Sequence, residues 1–480
     1  MKAAIVVAIP LTRIRPVLLA LAPLFFALGT QAQTVAPPLF PPDARYKADA
    51  LLVIAHPDDD MILGGYLARI SLDERKRIAV VYTTNGDGGG NVVGNEAGAA
   101  LGQMRILEAR RALAAYGIDN VWFLNWHDTP GQNVLWSLGR WNHGLALDEM
   151  VRLVRITRPE VILTWLPVHV AGENHDDHQA SGVLATEAFD SAADPLQYPE
   201  QVSPARNNGE PNLTEGLLPW QPKKIYYFTD AFENSGPYWN DPAQHTSLRK
   251  SMLDGRGPSY DTTTISPASH VSYARLSAQQ QTFYMTQEAS LGENSIKNNS
   301  FKEFEYPVRL IFGKSLVGGT VTGDVFENVS TNPLPFTRPR GYEPQHPTGL
   351  SLEIGDPWRF YSAFQKAHNL DHLADLVPVP ELAAKFADPL TIPMLACNHT
   401  ASAAEITVTP SLPSGWVNAT TLTRYPVRPG ECYPMQAQIT APSSGKAEWQ
   451  QLTWTAKSGS VPVGKVDLRV YLGKSGGLPQ

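Results

Sequence analysis

At 480 residues the chain exceeds one ordinary domain and predicts two or three. Hydrophobic residues make up 43% and charged ones 18%, which excludes a disordered or fibrous chain, while 40 prolines and 37 glycines assign much of the length to turns and loops. A formal charge of −7 with no long basic run argues against nucleic acid or an anionic membrane surface as partner and fits a neutral substrate such as a sugar.

The N-terminal stretch places Lys2, Arg13 and Arg15 before the apolar run PVLLALAPLFFALG and the small-residue stretch GTQAQT. A charged start, a short apolar core and a small-residue cleavage site predict a signal peptide over 1–32 and a secreted or periplasmic protein. The apolar run is too short to cross a bilayer, so no stable membrane span is expected. Without those residues the balance is 36 basic against 46 acidic side chains.

After a proline-rich leader (36–44), strand-type apolar runs fall at 49–55, 77–84, 121–124, 160–165 and 224–229. Helical patterns fill the gaps at 61–72, 96–116, 145–157 and 179–193. In the second of these Ala100, Met104, Leu107, Arg111 and Ala114 share one helical stripe, and Leu147, Met150, Val151 and Val154 do so in the third. Apolar strands alternating with helices predict an α/β fold over 45–295: a Rossmann-like, mostly parallel sheet with helices on both faces. A last helix is expected through 272–292, closed by Gly292. Residues 296–384 form a connecting region of unassigned fold, with hairpin-like FGKSLVGGTVTGDVF and a helical piece at 358–376. Short alternating runs with Pro/Gly turns over 385–475 predict a small β-sandwich-like domain. The two cysteines, Cys397 and Cys432, both lie there, and a disulfide between them is expected in an oxidising compartment.

Two polar knots interrupt this pattern. AHPDDD (55–60) ends the first strand and NHDDH (174–178) follows the fourth. Ligands bind open α/β sheets at the carboxyl ends of strands. His56 and Asp59, three apart, can face one point while Asp58 points elsewhere; His175 and His178 repeat that spacing. Two histidines and one carboxylate are the ligand set of a catalytic zinc with an open fourth position. The bland alternatives are that Asp58, Asp59 and Asp60 cap a helix and that His175 or His178 is a solvated loop residue. Capping leaves His56 and the histidine pair unexplained.

The order strand–AHPDDD–helix with a downstream NHDDH resembles the PIG-L, or LmbE-like, family of metal-dependent N-deacetylases over roughly 45–290. The resemblance implies that His56, Asp59 and His178 hold one Zn²⁺ per chain. It makes Asp58 the general base, gives His175 the oxyanion and has Asp177 orient a neighbouring histidine. TTNGDGGG (83–90) and Arg105-Ile106-Leu107-Glu108 occupy the places of the family's second loop and Arg-x-x-Glu helix, so Arg105 is expected to touch substrate. The chain departs from the family at Asp60 and Asp87, where glutamate is common, and at Asp176, where proline is usual.

Other signals are weaker. GDGGGN (86–91) lacks the third glycine of a dinucleotide loop and follows the second strand, not the first. A two-metal phosphoesterase would want more carboxylates. Trp136 and Trp141 are candidate ligand contacts, whereas Trp122, Trp165 and Trp416 read as core. Asp128, after the third strand, is a candidate for a substrate hydroxyl, with turn capping as its alternative. The sequence therefore reads as a secreted zinc-dependent N-deacetylase acting on N-acetylated amino sugars or glycans. The alternatives are an amidase for a longer-chain or non-sugar amide, or a glycan-binding protein on a residual catalytic scaffold.

Overall fold

The computed structural model describes residues 43–129, 131, 133–168, 175–204, 216–229, 250–336, 347–376 and 379–473. The signal peptide expected over 1–32, and Asn174 of the second knot, lie outside the described residues.

Five parallel strands build the front sheet: β1 (Ala50–Ile54), β2 (Ile78–Thr84), β3 (Asn120–Trp126), β4 (Val161–Trp165) and β5 (Lys224–Phe228). Their order is β3-β2-β1-β4-β5, and the strand Ile311–Ser315 closes the β5 edge antiparallel. Strand β1 is apolar at every position because both of its faces are covered. Leu51 and Val53 enter one core, with Ile162, Ile225 and helices α3 (Val134–Arg140), α4 (His143–Thr157) and α5 (Asp176–Ser191). Leu52 and Ile54 enter the other, with α1 (Gly64–Ala68), α2 (Ala99–Ala114) and the helix Tyr273–Gln281. The α/β sheet with helices on both faces is thus as expected. The chain reverses direction across the sheet between β1 and β4, which opens a crevice beyond their carboxyl ends.

Three local expectations fail. The stripe of Ala100, Leu107 and Arg111 on α2 faces outward, with Leu107 55% exposed; the buried face instead carries Leu101, Arg105, Glu108, Ala109 and Ala112. Its two charged residues are buried because the loop 86–90 and Thr286 accept or supply their hydrogen bonds. The expected helix over 272–292 is two helices, Tyr273–Gln281 and Ala289–Lys297. Gly292 lies inside the second, where a Cβ would come within 2.4 Å of the Ala278 carbonyl oxygen, so it permits helix contact and ends nothing. The glycine-rich stretch after 311 forms one edge strand and turns, not a hairpin.

The C-terminal sandwich packs a five-stranded sheet, ordered 381–385, 461–473, 448–458, 404–411, 424–427, against a four-stranded one. The second sheet runs 417–418, 432–440, 389–399, 349–354, so it draws its edge strand from the region without an assigned fold. Cys397 and Cys432 sit opposite each other in adjacent antiparallel strands and are disulfide-bonded. Trp416 belongs to this core, its indole N–H donating to Gln450 at 2.7 Å.

Candidate metal centre

Strand β1 ends at Ile54, and the chain turns through His56 and Pro57 into the helical turn Asp59–Leu63. Asp58 sits at the bend with φ 133° and ψ −24°, a backbone conformation sparsely populated outside glycine, and its side chain caps nothing. The turn sends Asp59 back under the strand end. There its Oδ2 accepts from Ala55 N (2.8 Å), His56 N (3.0 Å) and the Trp165 indole N–H (2.7 Å). Across the crevice His175 precedes α5 and His178 lies in its first turn.

Three atoms from the two motifs meet at one point. His56 Nδ1 is 3.2 Å from His178 Nε2 and 3.6 Å from Asp59 Oδ1, and His178 Nε2 is 3.3 Å from Asp59 Oδ1. Ligands about 2.0–2.1 Å from a tetrahedral zinc stand roughly 3.4 Å apart, so the donor set fits that ion with a fourth position open. The charges agree. Burial, with the neighbouring His175 charge, pulls His178 down to about 3 and keeps it a neutral donor. Burial also opposes charge on His56, but the carboxylates of Asp128, Asp177 and Asp59 outweigh it and hold its pKa well above the ordinary value. The surroundings of His56 favour a positive charge, which a bound cation would supply in place of the proton.

Asp177 lies against this imidazole. It accepts from His56 Nε2 at 3.4 Å while Thr129 N (2.7 Å) and the Ser137 hydroxyl (2.6 Å) fix its own carboxylate. With Nε2 as the donor, the Nδ1 lone pair turns to the ligand point. His175 lies on the rim, its ring centroid 4.0 Å from that of His178 and its Nδ1 3.5 Å from Asp176 Oδ1. Burial and the Asp59 carboxylate push Asp58 well above the usual carboxylate range.

The remaining candidates sit around this point. Asp128 Oδ1 is 3.9 Å from His56 Nε2 and without a hydrogen-bond partner among the described residues, while Oδ2 accepts from Gly88 N at 2.8 Å. Arg105 clasps the glycine loop, donating to the Gly86 (3.0 Å) and Gly90 (2.8 Å) carbonyls. Asp60 is fully buried under the site, accepting from the Tyr82 (2.7 Å) and Tyr284 (2.5 Å) hydroxyls and the Gln280 amide. Trp136 is 62% exposed, but Trp141 is fully buried with its indole N–H on the His127 carbonyl, which removes it as a ligand contact. Sequence reasoning read Trp165 as core and missed its part in the site; its place at the end of β4 was the available signal.

A doubly covered parallel sheet here presents two histidines and a carboxylate at its switch point, a donor set of the kind that holds a metal ion. Residues 51–189 match the PIG-L family, described as GlcNAc-PI de-N-acetylase. Among curated proteins it is similar to 1D-myo-inositol 2-acetamido-2-deoxy-alpha-D-glucopyranoside deacetylase 1 of Frankia alni, 31% identical over 188 residues covering 36% of this chain and 59% of that one. Deacetylase 2 of Frankia casuarinae is 34% identical over 170 residues, 32% of this chain and 54% of the relative. The chain thus spans little more than half the length of these relatives. Among solved structures, N,N'-diacetylchitobiose deacetylase from Pyrococcus horikoshii aligns with a TM-score of 0.35 and 17% identity over 55% of this chain and 83% of that one.

Proposed function

We propose that the protein is a zinc-dependent amide hydrolase that removes acetyl groups from N-acetylated amino sugars or glycans. The observation that carries this reading is the triangle of His56 Nδ1, Asp59 Oδ1 and His178 Nε2, with the carboxylate of Asp58, which caps no helix, within electrostatic reach of His56 and Asp59. The PIG-L match and the N-acetylglucosaminyl substrates in the relatives' names support the substrate class.

His56, Asp59 and His178 would hold a zinc ion, which would supply Lewis-acid polarisation of the amide carbonyl and a water of pKa about 7. The Asp58 carboxylate takes a proton from the attacking water and returns it to the nitrogen as the C–N bond breaks. His175, on the rim, offsets charge on the tetrahedral oxygen, a contribution of about 3 kcal/mol in comparable sites. Asp177 keeps His56 in the tautomer that offers Nδ1. Asp128, close to His56 and with one oxygen that has no hydrogen-bond partner among the described residues, would accept from a sugar hydroxyl. Arg105 shapes the pocket mouth through the loop it holds.

One observation favours the second reading, an amidase for a longer or more apolar substrate. Val92 (70% exposed), Val93 and Met285 are exposed on neighbouring segments, Val92 N donating to the Thr286 carbonyl at 3.1 Å. The disulfide and the expected signal peptide support action outside the cytoplasm. Free-amine release from N-acetylglucosamine, chitooligosaccharides and long-chain N-acyl amides separates the readings. Release from the acetylated sugars supports the deacetylase; release from the long-chain amides alone replaces it with the amidase.

A further inference from the structure

The structure assigns Trp165 as the positioning residue that fixes two of the three proposed metal ligands at once, making Asp59 a single-oxygen ligand and orienting the His178 ring. The inference rests on the metal-site reading above and goes beyond it. Trp165 ends β4, is fully buried, and lies under the crevice between the two knots. Its indole stacks on the His178 imidazole with centroids 3.8 Å apart and planes 6° from parallel. Its Nε1–H donates to Asp59 Oδ2 at 2.7 Å.

The consequences for each ligand differ. A carboxylate beside a metal can bind through one oxygen or two. Here Oδ2 already accepts three N–H donors, two from the strand-end backbone and one from Trp165, so Oδ1 alone remains directed at the histidines. That restriction favours four-coordination over the higher coordination of a chelating carboxylate. His178, by contrast, has no hydrogen-bond partner at Nδ1 among the described residues. A metal-binding imidazole is ordinarily held by a hydrogen bond from its second nitrogen. For His178 the indole face takes over that role, and ring rotation would require sliding off the stack.

The test compares Trp165→Phe, which keeps an aromatic face but removes the N–H donor, with Trp220→Phe. Trp220 makes an indole hydrogen bond of the same 2.7 Å length, to the Pro159 carbonyl at the opposite end of the sheet, so its loss reports general destabilisation. Zinc affinity is measured by competition with a chromophoric chelator, and the visible absorption of the Co²⁺-loaded protein reports coordination number. Trp165→Phe is expected to weaken zinc about 10-fold, within the 10–100-fold range of outer-sphere substitutions, and to dim the intense four-coordinate cobalt band. Trp220→Phe is expected to leave both unchanged. Replacement of Trp165 by 3-benzothienylalanine, which keeps the two-ring shape without the N–H, gives the same result where the phenylalanine variant folds poorly. Zinc affinity and cobalt spectrum of Trp165→Phe matching the parent protein overturn the inference, as does an equal loss in Trp220→Phe. A parent protein that binds no zinc overturns the metal site itself, whereas zinc binding without amide hydrolysis overturns only the deacetylase reading.

Discussion

Replacing Asp58 by glycine should make the metal-free protein more stable while abolishing turnover. The residue holds φ 133°, where a Cβ is strained, at a cost on the order of 1–3 kcal/mol. Glycine removes that strain but loosens the unfolded chain by about 0.4–1 kcal/mol, which leaves a gain of about 1 kcal/mol. Charge must be separated from strain, because burial and the Asp59 carboxylate also disfavour ionised Asp58. With its folded pKa raised, Asp58 contributes least strain of charge at low pH and destabilises progressively as pH rises through that value. Asp58→Asn removes the charge and keeps the Cβ, so the difference between Asp58→Gly and Asp58→Asn at pH 7 isolates the backbone. Thermal melts in chelator should place the glycine variant about 2–4 °C above the asparagine variant. Both should lose turnover by roughly 10²–10⁴ when zinc is restored, as expected for a missing general base. Equal melting temperatures would refute the strain argument, and retained turnover in either variant would refute the role of Asp58.

His178→Ala should bind no stoichiometric zinc, read by metal analysis after dialysis; full occupancy would remove His178 from the ligand set. Asp177→Asn should weaken zinc about 10–100-fold, because His56 loses the carboxylate that accepts from Nε2; unchanged affinity would contradict that orientation. Burial raises Asp60 to about 6, some two pKa units above its unfolded value. Its share of stability is therefore present below about pH 4 and is lost, by up to about 3 kcal/mol, as pH rises through 6. Urea melts of Asp60→Asn against the parent from pH 4 to 6 should show a more positive slope in the variant, and parallel slopes would disprove it. Gly292→Ala should cost about 1–3 kcal/mol by overpacking against Ala278; a neutral effect would restore Gly292 as a mere helix end.

The parallel sheet was legible because β1, β2, β4 and β5 are buried at every position, and such strands read as continuous apolar runs bounded by turns. The convergence of His56, Asp59 and His178 was legible because costly polar groups at strand ends need a reason to be there. Helix α2 was misread since its inner face carries Arg105 and Glu108, whose partners at Gly86, Gly90 and Thr286 are remote in sequence or hidden in a loop. The break between the helices Tyr273–Gln281 and Ala289–Lys297 escaped notice for a related reason. Tyr284 and Thr286 in that break are held by Asp60 and Glu108, tertiary contacts that override local helical preference. Trp165 looked like core, and it is core; its N–H nevertheless reaches Asp59, which only the spatial adjacency of β1 and β4 reveals.

The most direct test of the central claim is free-amine release from an N-acetylated chitooligosaccharide by chelator-stripped protein titrated with zinc. Asp58→Asn would be run in parallel. The account predicts no release without metal, activity that rises to a plateau at one zinc per chain, and none from Asp58→Asn at the same zinc content. Full activity in the stripped protein, or zinc bound at one per chain with no amine released from any N-acetylated sugar, would contradict it.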